Sequence, residues 1–346
     1  MASLLKQRST VDAVIFAVLL GVAIALPFFI TGRYYLGELA LMFTWIIVAS
    51  QWNLLFGVAG VFNLAHMLIF AWGGYVTAIL GVHFGWSYWA AMPVGAVTTI
   101  GFALIIGVAC LRLTGAYVAL LTLGIAEVVR QLIITDTDCY VMEGTRCVQF
   151  AGGATGLTGY GNFGTRPVFR GDYAMVDYYI MLFATVLVLA LTYFLMRGPI
   201  GLGLRALGSN PGYAISRGVN RFKFQMMLFG ISAFFTGVAG ALHAGRIGAI
   251  SPQAMMSLEQ LLFVIGMVVI GGIGKFWGPI LGAVLVTGLN EVMRDFGDFR
   301  VIGQGFILAA VVVFMPNGIV GLIGKLAGRL QATQQPGRAT SEAASR

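Results

Sequence analysis

Charged side chains are scarce in this chain: they make up 10% of its 346 residues, against roughly 25% in an ordinary soluble domain. With 59% hydrophobic residues as well, that scarcity excludes the usual soluble classes and leaves a membrane protein. Histidine and cysteine are nearly missing, with three of each. His66, His83 and His243 are too scattered to nominate a metal site, and neither HExxH nor a paired-cysteine zinc pattern occurs. A phosphate-cradling loop needs GxxxxGK followed by Ser or Thr. The nearest approach, GGIGKF from Gly271, has the wrong glycine spacing and ends in Phe276, so the chain is expected to hold no ATPase of its own. GxSxG is absent too, which removes the commonest acyl-transfer signature. The formal net charge is +8, but the basic residues are dispersed among apolar segments without a basic face, which argues against nucleic acid.

What the chain has instead is long apolar runs. A span takes about 20 predominantly apolar residues, and such windows fall at 11–30, 39–56, 61–80, 90–110, 113–134, 174–196, 224–243, 258–273, 278–293 and 301–320. The expectation is an all-α polytopic membrane protein of about ten transmembrane helices. The first run is longer than the roughly 7–15 residues of a signal-peptide core and no small-x-small site follows, so it reads as a retained helix. Placing the N-terminus in the cytoplasm puts 13 of the 21 Lys and Arg residues in inner segments and 7 in outer ones, with Arg130 inside a span. That bias sets both termini on the cytoplasmic side. The domain organisation follows: a membrane domain over 1–323, with an external loop at 135–173 and a cytoplasmic loop at 197–223, and then a disordered cytoplasmic tail over 324–346.

Two five-helix halves would insert in opposite senses, an arrangement known among transporters. GVAG at Gly57–Gly60, after the second helix, recurs at Gly237–Gly240 near the end of the seventh, and this short match suggests an inverted repeat. Cys139 and Cys147 share the external loop, where an oxidising compartment would let them form a disulfide; two free thiols is the equal alternative. The glycine-rich stretch GGATGLTGYGNFG from Gly152 is a poor helix former and reads as a lid, a docking surface or a plain connector.

Polar groups within spans cost enough to be functional candidates by default. Glu127 and Arg130, three apart, share a helical face: they either form a structural ion pair or line a water-filled path. In the third helix, NLAHMLIFAWGGY carries Asn63, His66 and Tyr75 among small residues that let helices approach closely; Thr122 lies in the fifth. These six residues are the candidates for the translocation path. The other candidate region is the polar run RALGSNPGYAISRGVNRFKFQ from Arg205, the longest cytoplasmic interhelical segment. Asn210-Pro211-Gly212 breaks it in two, and Ser209 or Asn210 is expected to cap a short helix that Gly218 ends. Such a helix either rests on anionic lipid through Arg217, Arg221 and Lys223 or serves as the knob a cytoplasmic motor grips.

From about Leu54 to Leu322 the chain resembles the membrane permease subunits of bacterial branched-chain amino acid ABC importers, specifically the M-type member of the permease pair. The resemblance is carried by LTGAYVALLTLGIAEVVRQ from Leu113, GATGLTG from Gly153, GLGLRALGSNPGYAISRGVNRFKFQ from Gly201, SAFFTGVAGALHAGRIGAISP from Ser232, GGIGKFWGPILGA from Gly271 and FMPNGIVGL from Phe314. It implies a second related permease, two cytoplasmic subunits that bind ATP and Mg, and a periplasmic binding protein that delivers the solute. The chain itself would hold no cofactor, and would sit in the bacterial inner membrane. Arg205, Ser209, Asn210, Tyr213, Ser216, Arg217 and Gly218 then correspond to the coupling loop that touches an ATPase. The sequence departs from the resemblance in two places: Gly208–Gly212 lacks an acidic residue, and Met67 and Trp72 stand where smaller residues are usual. An importer of urea, short amides or another small amino acid is the neighbouring reading. An ion-coupled secondary transporter would need acidic residues near the midplane, where only Glu127 comes close.

Overall fold

The structure, a computed structural model, describes residues 2–30, 32–113, 115–143, 146–165 and 172–297, with scattered positions between 302 and 322. In chain order the helices are α1 (Ala2–Phe29), α2 (Arg33–Asn53, prolonged by a π-turn at Leu54–Val58), α3 (His66–Phe84), α4 (Tyr88–Leu111), α5 (Ala116–Ile134), α6 (Tyr173–Arg197), α7 (Pro199–Ser209), α8 (Pro211–Ser216), α9 (Arg221–Ile247), α10 (Pro252–Met256), α11 (Leu258–Gly271) and α12 (Trp277–Val292). Among the described residues four short strands interrupt them: β1 (Cys139–Glu143), β2 (Arg146–Gln149), β3 (Leu157–Thr158) and β4 (Ala249–Ile250). Among the described residues, eight helical stretches are long and apolar enough to cross a membrane. The ninth expected helix is present as the shorter α12. The tenth, at 301–320, and the tail at 324–346 lie largely or wholly outside the described residues.

Helices dominate because a bilayer offers the backbone no hydrogen-bond partner, so each span must satisfy its own amides. Their packing rests on small residues. A Cβ on Gly73 of α3 would collide with the Gly237 carbonyl oxygen of α9, and one on Gly240 would collide with that of Phe70. A Cβ on Gly95 of α4 would lie 2.6 Å from the Gly73 carbonyl oxygen, and one on Gly237 would lie 2.5 Å from Thr99 Oγ1. Three helices thus cross almost backbone to backbone, the close approach that Gly permits in the absence of a hydrophobic drive between helices. The two GVAG stretches take different conformations. Gly237 and Gly240 lie inside the uninterrupted α9, whereas Gly57 lies within the π-turn and Gly60 follows it at φ +71°. The same four letters serve a crossing in one place and a break in the other.

The loops sort to two ends. At one, β1 and β2 form an antiparallel hairpin and β3 pairs with β4, Leu157 opposite Ile250. The Arg246 guanidinium donates to the Gly37 carbonyl there at 2.8 Å, and Tyr34 donates to Glu291 at 2.8 Å. At the other, which carries α7 and α8, Asn53 bonds the turn after α11, and Asp12 of α1 accepts from Trp277 Nε1 at 3.1 Å. We call these the hairpin end and the run end. The all-α expectation therefore gains a small β component, confined to the hairpin end. The third helix also begins later than expected: 59–65 is non-helical and α3 starts at His66, so Asn63 precedes the helix.

Candidate functional site

At the run end α7 lies with Gly201, Leu204 and Leu207 buried, and turns Arg205 and Ser209 outward. Asn210 then takes an extended conformation, φ −151° and ψ 94°, and its Oδ1 accepts from the Tyr213 amide at 3.1 Å. With Pro211 at the first helical position, this is the N-cap the sequence called for. α8 ends at Ser216, whose hydroxyl donates to the Tyr213 carbonyl at 2.8 Å, and Gly218 follows at φ +85°. The Arg217 guanidinium donates to the Tyr213 hydroxyl at 3.1 Å and lies 5.3 Å from the centre of its ring. Of α8 only Ala214 is buried; Tyr213, Ile215, Ser216 and Arg217 stand exposed. The result is a rigid, capped projection carrying an aromatic, an aliphatic and a cationic side chain, a surface suited to a protein partner.

The six path candidates do not come together. Asn63, His66 and Thr122 are 0% exposed and Tyr75 is 4% exposed. Asn63 Oδ1 accepts from the Ala65 amide at 2.9 Å, and its carbonyl accepts from Trp52 Nε1 at 2.9 Å. Thr122 Oγ1 of α5 accepts from the Leu64 amide at 3.0 Å. His66 Nε2 lies 3.1 Å from the Val48 carbonyl and 3.4 Å from Thr236 Oγ1. These residues fasten 59–65 and the start of α3 to α2, α5 and α9. Glu127 and Arg130 instead pair on the outer face of α5: Arg130 Nε donates to Glu127 Oε2 at 2.9 Å and Gln131 Nε2 donates to Oε1 at 2.8 Å. Their side chains are 52% and 23% exposed. An apolar cavity of about 430 Å³ opens behind this helix towards the hairpin end, walled by Trp72, Tyr75, Val76, Ile79, Val129 and Leu132 among others.

At the hairpin end Cys139 and Cys147 are joined, with Cα atoms 5.5 Å apart. His83 Nε2 lies 2.9 Å from the Phe150 carbonyl and its ring stacks on that of Phe150. Tyr160, buried in the glycine-rich stretch, donates to the Ala244 carbonyl at 2.9 Å, and burial holds its phenol above the ordinary range, so it stays a donor. Among the described residues no group of three or more His, Cys, Asp and Glu side chains is placed to hold a metal.

Two positions were overlooked in the sequence. Asp12 accepts from Arg197 Nη2, from Tyr193 at 3.4 Å and from Trp277, joining α1, α6 and α12. Asn53 is bonded at both polar atoms to the turn between α11 and α12. Both are polar residues within or at the edge of apolar runs, the class to which Glu127 belongs.

Comparison with known sequences places these features. Residues 34–316 match the family described as "Branched-chain amino acid transport system / permease component". The chain belongs to this permease family. It is 29% identical over 329 residues to the high-affinity branched-chain amino acid transport system permease protein LivM of Escherichia coli, covering 90% of this chain and 76% of that one. LivH of the same organism is 24% identical over 292 residues, covering 80% of this chain and 91% of LivH. The guanosine ABC transporter permease protein NupQ of Bacillus subtilis matches more narrowly, 28% identical over 174 residues, 47% of this chain and 51% of its own. No solved structure matches. The family match takes in α2 through α12, and so includes both the exposed face of α5 and the projection of α8. The permease role thereby rests on the body of the fold.

Proposed function

We propose that this permease is one of two related membrane subunits of a bacterial ABC importer for leucine, isoleucine and valine. Two cytoplasmic ATP-binding subunits drive it, and a periplasmic binding protein feeds it. The reading sets a bundle of ten helices, built as an inverted repeat, in the inner membrane with both termini cytoplasmic. The run end then faces the ATPases and the hairpin end faces the binding protein. The disulfide of Cys139 and Cys147 suits the oxidising side of the membrane.

The observation that carries this is α8: a six-residue helix, capped by Asn210 and stopped by Gly218, that presents Tyr213, Ser216 and Arg217 away from the bundle. Arg205 and Ser209 flank it. ATP binding draws the partner ATPases together, α7 and α8 move with them, and the two permeases exchange inward-facing for outward-facing states. The outer face of α5 supports a path between permeases. Glu127, Arg130 and Gln131 form a polar patch within a span, and lipid is a costly neighbour for such groups, whereas a second subunit or a water-filled path is not. Asn63, His66, Thr122 and Tyr75 back this path by holding α3 and α5 in register. Catalysis of ATP hydrolysis, with its Mg, belongs to the partner subunits.

The test is the charge reversal Arg217→Glu in the assembled complex. Hydrolysis stimulated by loaded binding protein should fall while membrane insertion stays normal; undiminished hydrolysis removes α8 from the coupling surface. A second reading, an importer of another small solute such as urea, an amide, another amino acid or a nucleoside, draws on the relative named for guanosine. Competition of unlabelled solutes against leucine uptake separates the two.

A further inference from the structure

Three layers of backbone are stacked at the run end, and glycine makes each contact. In the turn after α11, Gly274 has φ +75°, and a Cβ there would lie 2.7 Å from the Gly57 carbonyl oxygen. In the π-turn, a Cβ on Gly57 would collide with Asn53 Oδ1 and with the Gly274 amide nitrogen. In the last turn of α7, a Cβ on Gly208 would collide with the Val58 carbonyl oxygen. The π-turn is therefore clasped between α7 on one side and 272–275 on the other.

Asn53 fixes the lower of these contacts. It is 2% exposed, its Oδ1 accepts from the Gly274 amide at 2.7 Å, and its Nδ2 donates to the Lys275 carbonyl at 3.1 Å. The upper contact has room beside it. An open pocket of about 180 Å³ lies between the π-turn and the last turns of α7, lined by 56–58, Gly60, Arg205, Gly208 and Ser209.

Beyond the π-turn the chain passes Gly60 and enters 61–65, which is held by Trp52 Nε1 on the Asn63 carbonyl and by Thr122 on the Leu64 amide. A shift of the π-turn thus reaches the start of α3 directly and α5 through Thr122. α5 is also the helix with Glu127 and Arg130 on its outer face. Single-turn π segments recur at functional sites, and chains of packed elements of this kind can carry coupling between distant sites.

The geometry points to Asn53 as a positioning residue for transport. It pins the π-turn to 272–275, so that movement arriving through α7 swings 59–65, and with it α3 and α5, instead of being lost in displacement of the end of α2. This rests on the reading that α7 and α8 receive the movement of an ATPase.

The experiment is radiolabelled leucine uptake per ATP hydrolysed, measured on the complete importer in liposomes with its binding protein. For Asn53→Ala, hydrolysis stays within about twofold of wild type while uptake per ATP falls about tenfold, a loss typical of coupling between sites. Gly208→Ala, which strikes the same turn from above, gives the same uncoupling. Gly101→Ala, whose Cβ meets nothing within 4 Å, keeps the wild-type ratio. The ratio does not depend on how much complex assembles. A purely structural role for Asn53 lowers both activities together, leaves the ratio at its wild-type value and overturns the proposal. A wild-type complex that takes up no leucine with ATP sinks the function itself and this inference with it; a coupled Asn53→Ala complex sinks the hinge alone.

Discussion

The Phe70 carbonyl oxygen occupies the space where any side chain on Gly240 would have to begin. Because α3 and α9 touch there through backbone, the permease depends on a position that offers no chemistry of its own. Gly240→Ala is expected to destabilise the bundle by roughly 1–3 kcal/mol, the usual cost of overpacking. Gly240→Val should fail to yield a monodisperse protein. Thermal unfolding in detergent measures this, with Gly101→Ala as the near-neutral control; equal melting of both alanine variants would show that the crossing relaxes.

Glu127 and Arg130 are expected to act as a unit. Arg130→Gln leaves the carboxylate with Gln131 but without a cation, and Glu127→Gln leaves a guanidinium without a carboxylate, whereas the double variant leaves neither charge. The singles should each lower uptake more than the double, with a coupling energy on the order of 1 kcal/mol. Strictly additive losses would mean that the two groups work separately.

Asp12 joins three helices, so its replacement should loosen α1. Asp12→Asn keeps one acceptor oxygen, for Trp277 or for Tyr193 and Arg197 but not both, since these bond different carboxylate oxygens, and should cost less than the alanine variant. Asp12→Ala removes all three bonds and is expected to cost about 1–2 kcal/mol, given partial exposure of the ion pair with Arg197. Limited proteolysis of the N-terminal helix reads this out. An alanine variant cut no faster than wild type would place the anchoring of α1 elsewhere.

Reduction and alkylation of the purified protein should add two labels in the peptide spanning Cys139 and Cys147, and none without reductant. Replacing both by Ser is expected to destabilise the hairpin by on the order of 2 kcal/mol, yet to change the melting of the helices little, since the strand hydrogen bonds of β1 and β2 are made to each other. Labelling without reductant would refute the bridge.

Much of this was legible in the sequence. The apolar runs gave the spans because a membrane leaves the backbone little alternative to helix. α8 was legible because Asn-Pro-Gly fixes its start chemically. The start of α3 was not, since 59–65 is as apolar as a helix; what keeps it open is Gly60 at positive φ and the bonds made by Asn63, neither visible in hydropathy. The pairing of Glu127 with Arg130 followed from spacing, but the direction of their face depends on which side α4 and α10 leave uncovered. Asp12 and Asn53 escaped because their partners lie far off in the chain, 185 positions away at Arg197 and 222 at Lys275.

The pairing of Leu157 with Ile250 has a consequence for biogenesis. The segment holding Leu157 emerges from the ribosome well before its partner strand, with α6 to α9 still to be made and inserted. Until that happens the hairpin end lacks one of its two strand pairs. Completion of that end therefore requires the later helices to be in place, so nascent chains stalled before Ile250 should be recognisable to quality control by an unpaired strand at Leu157.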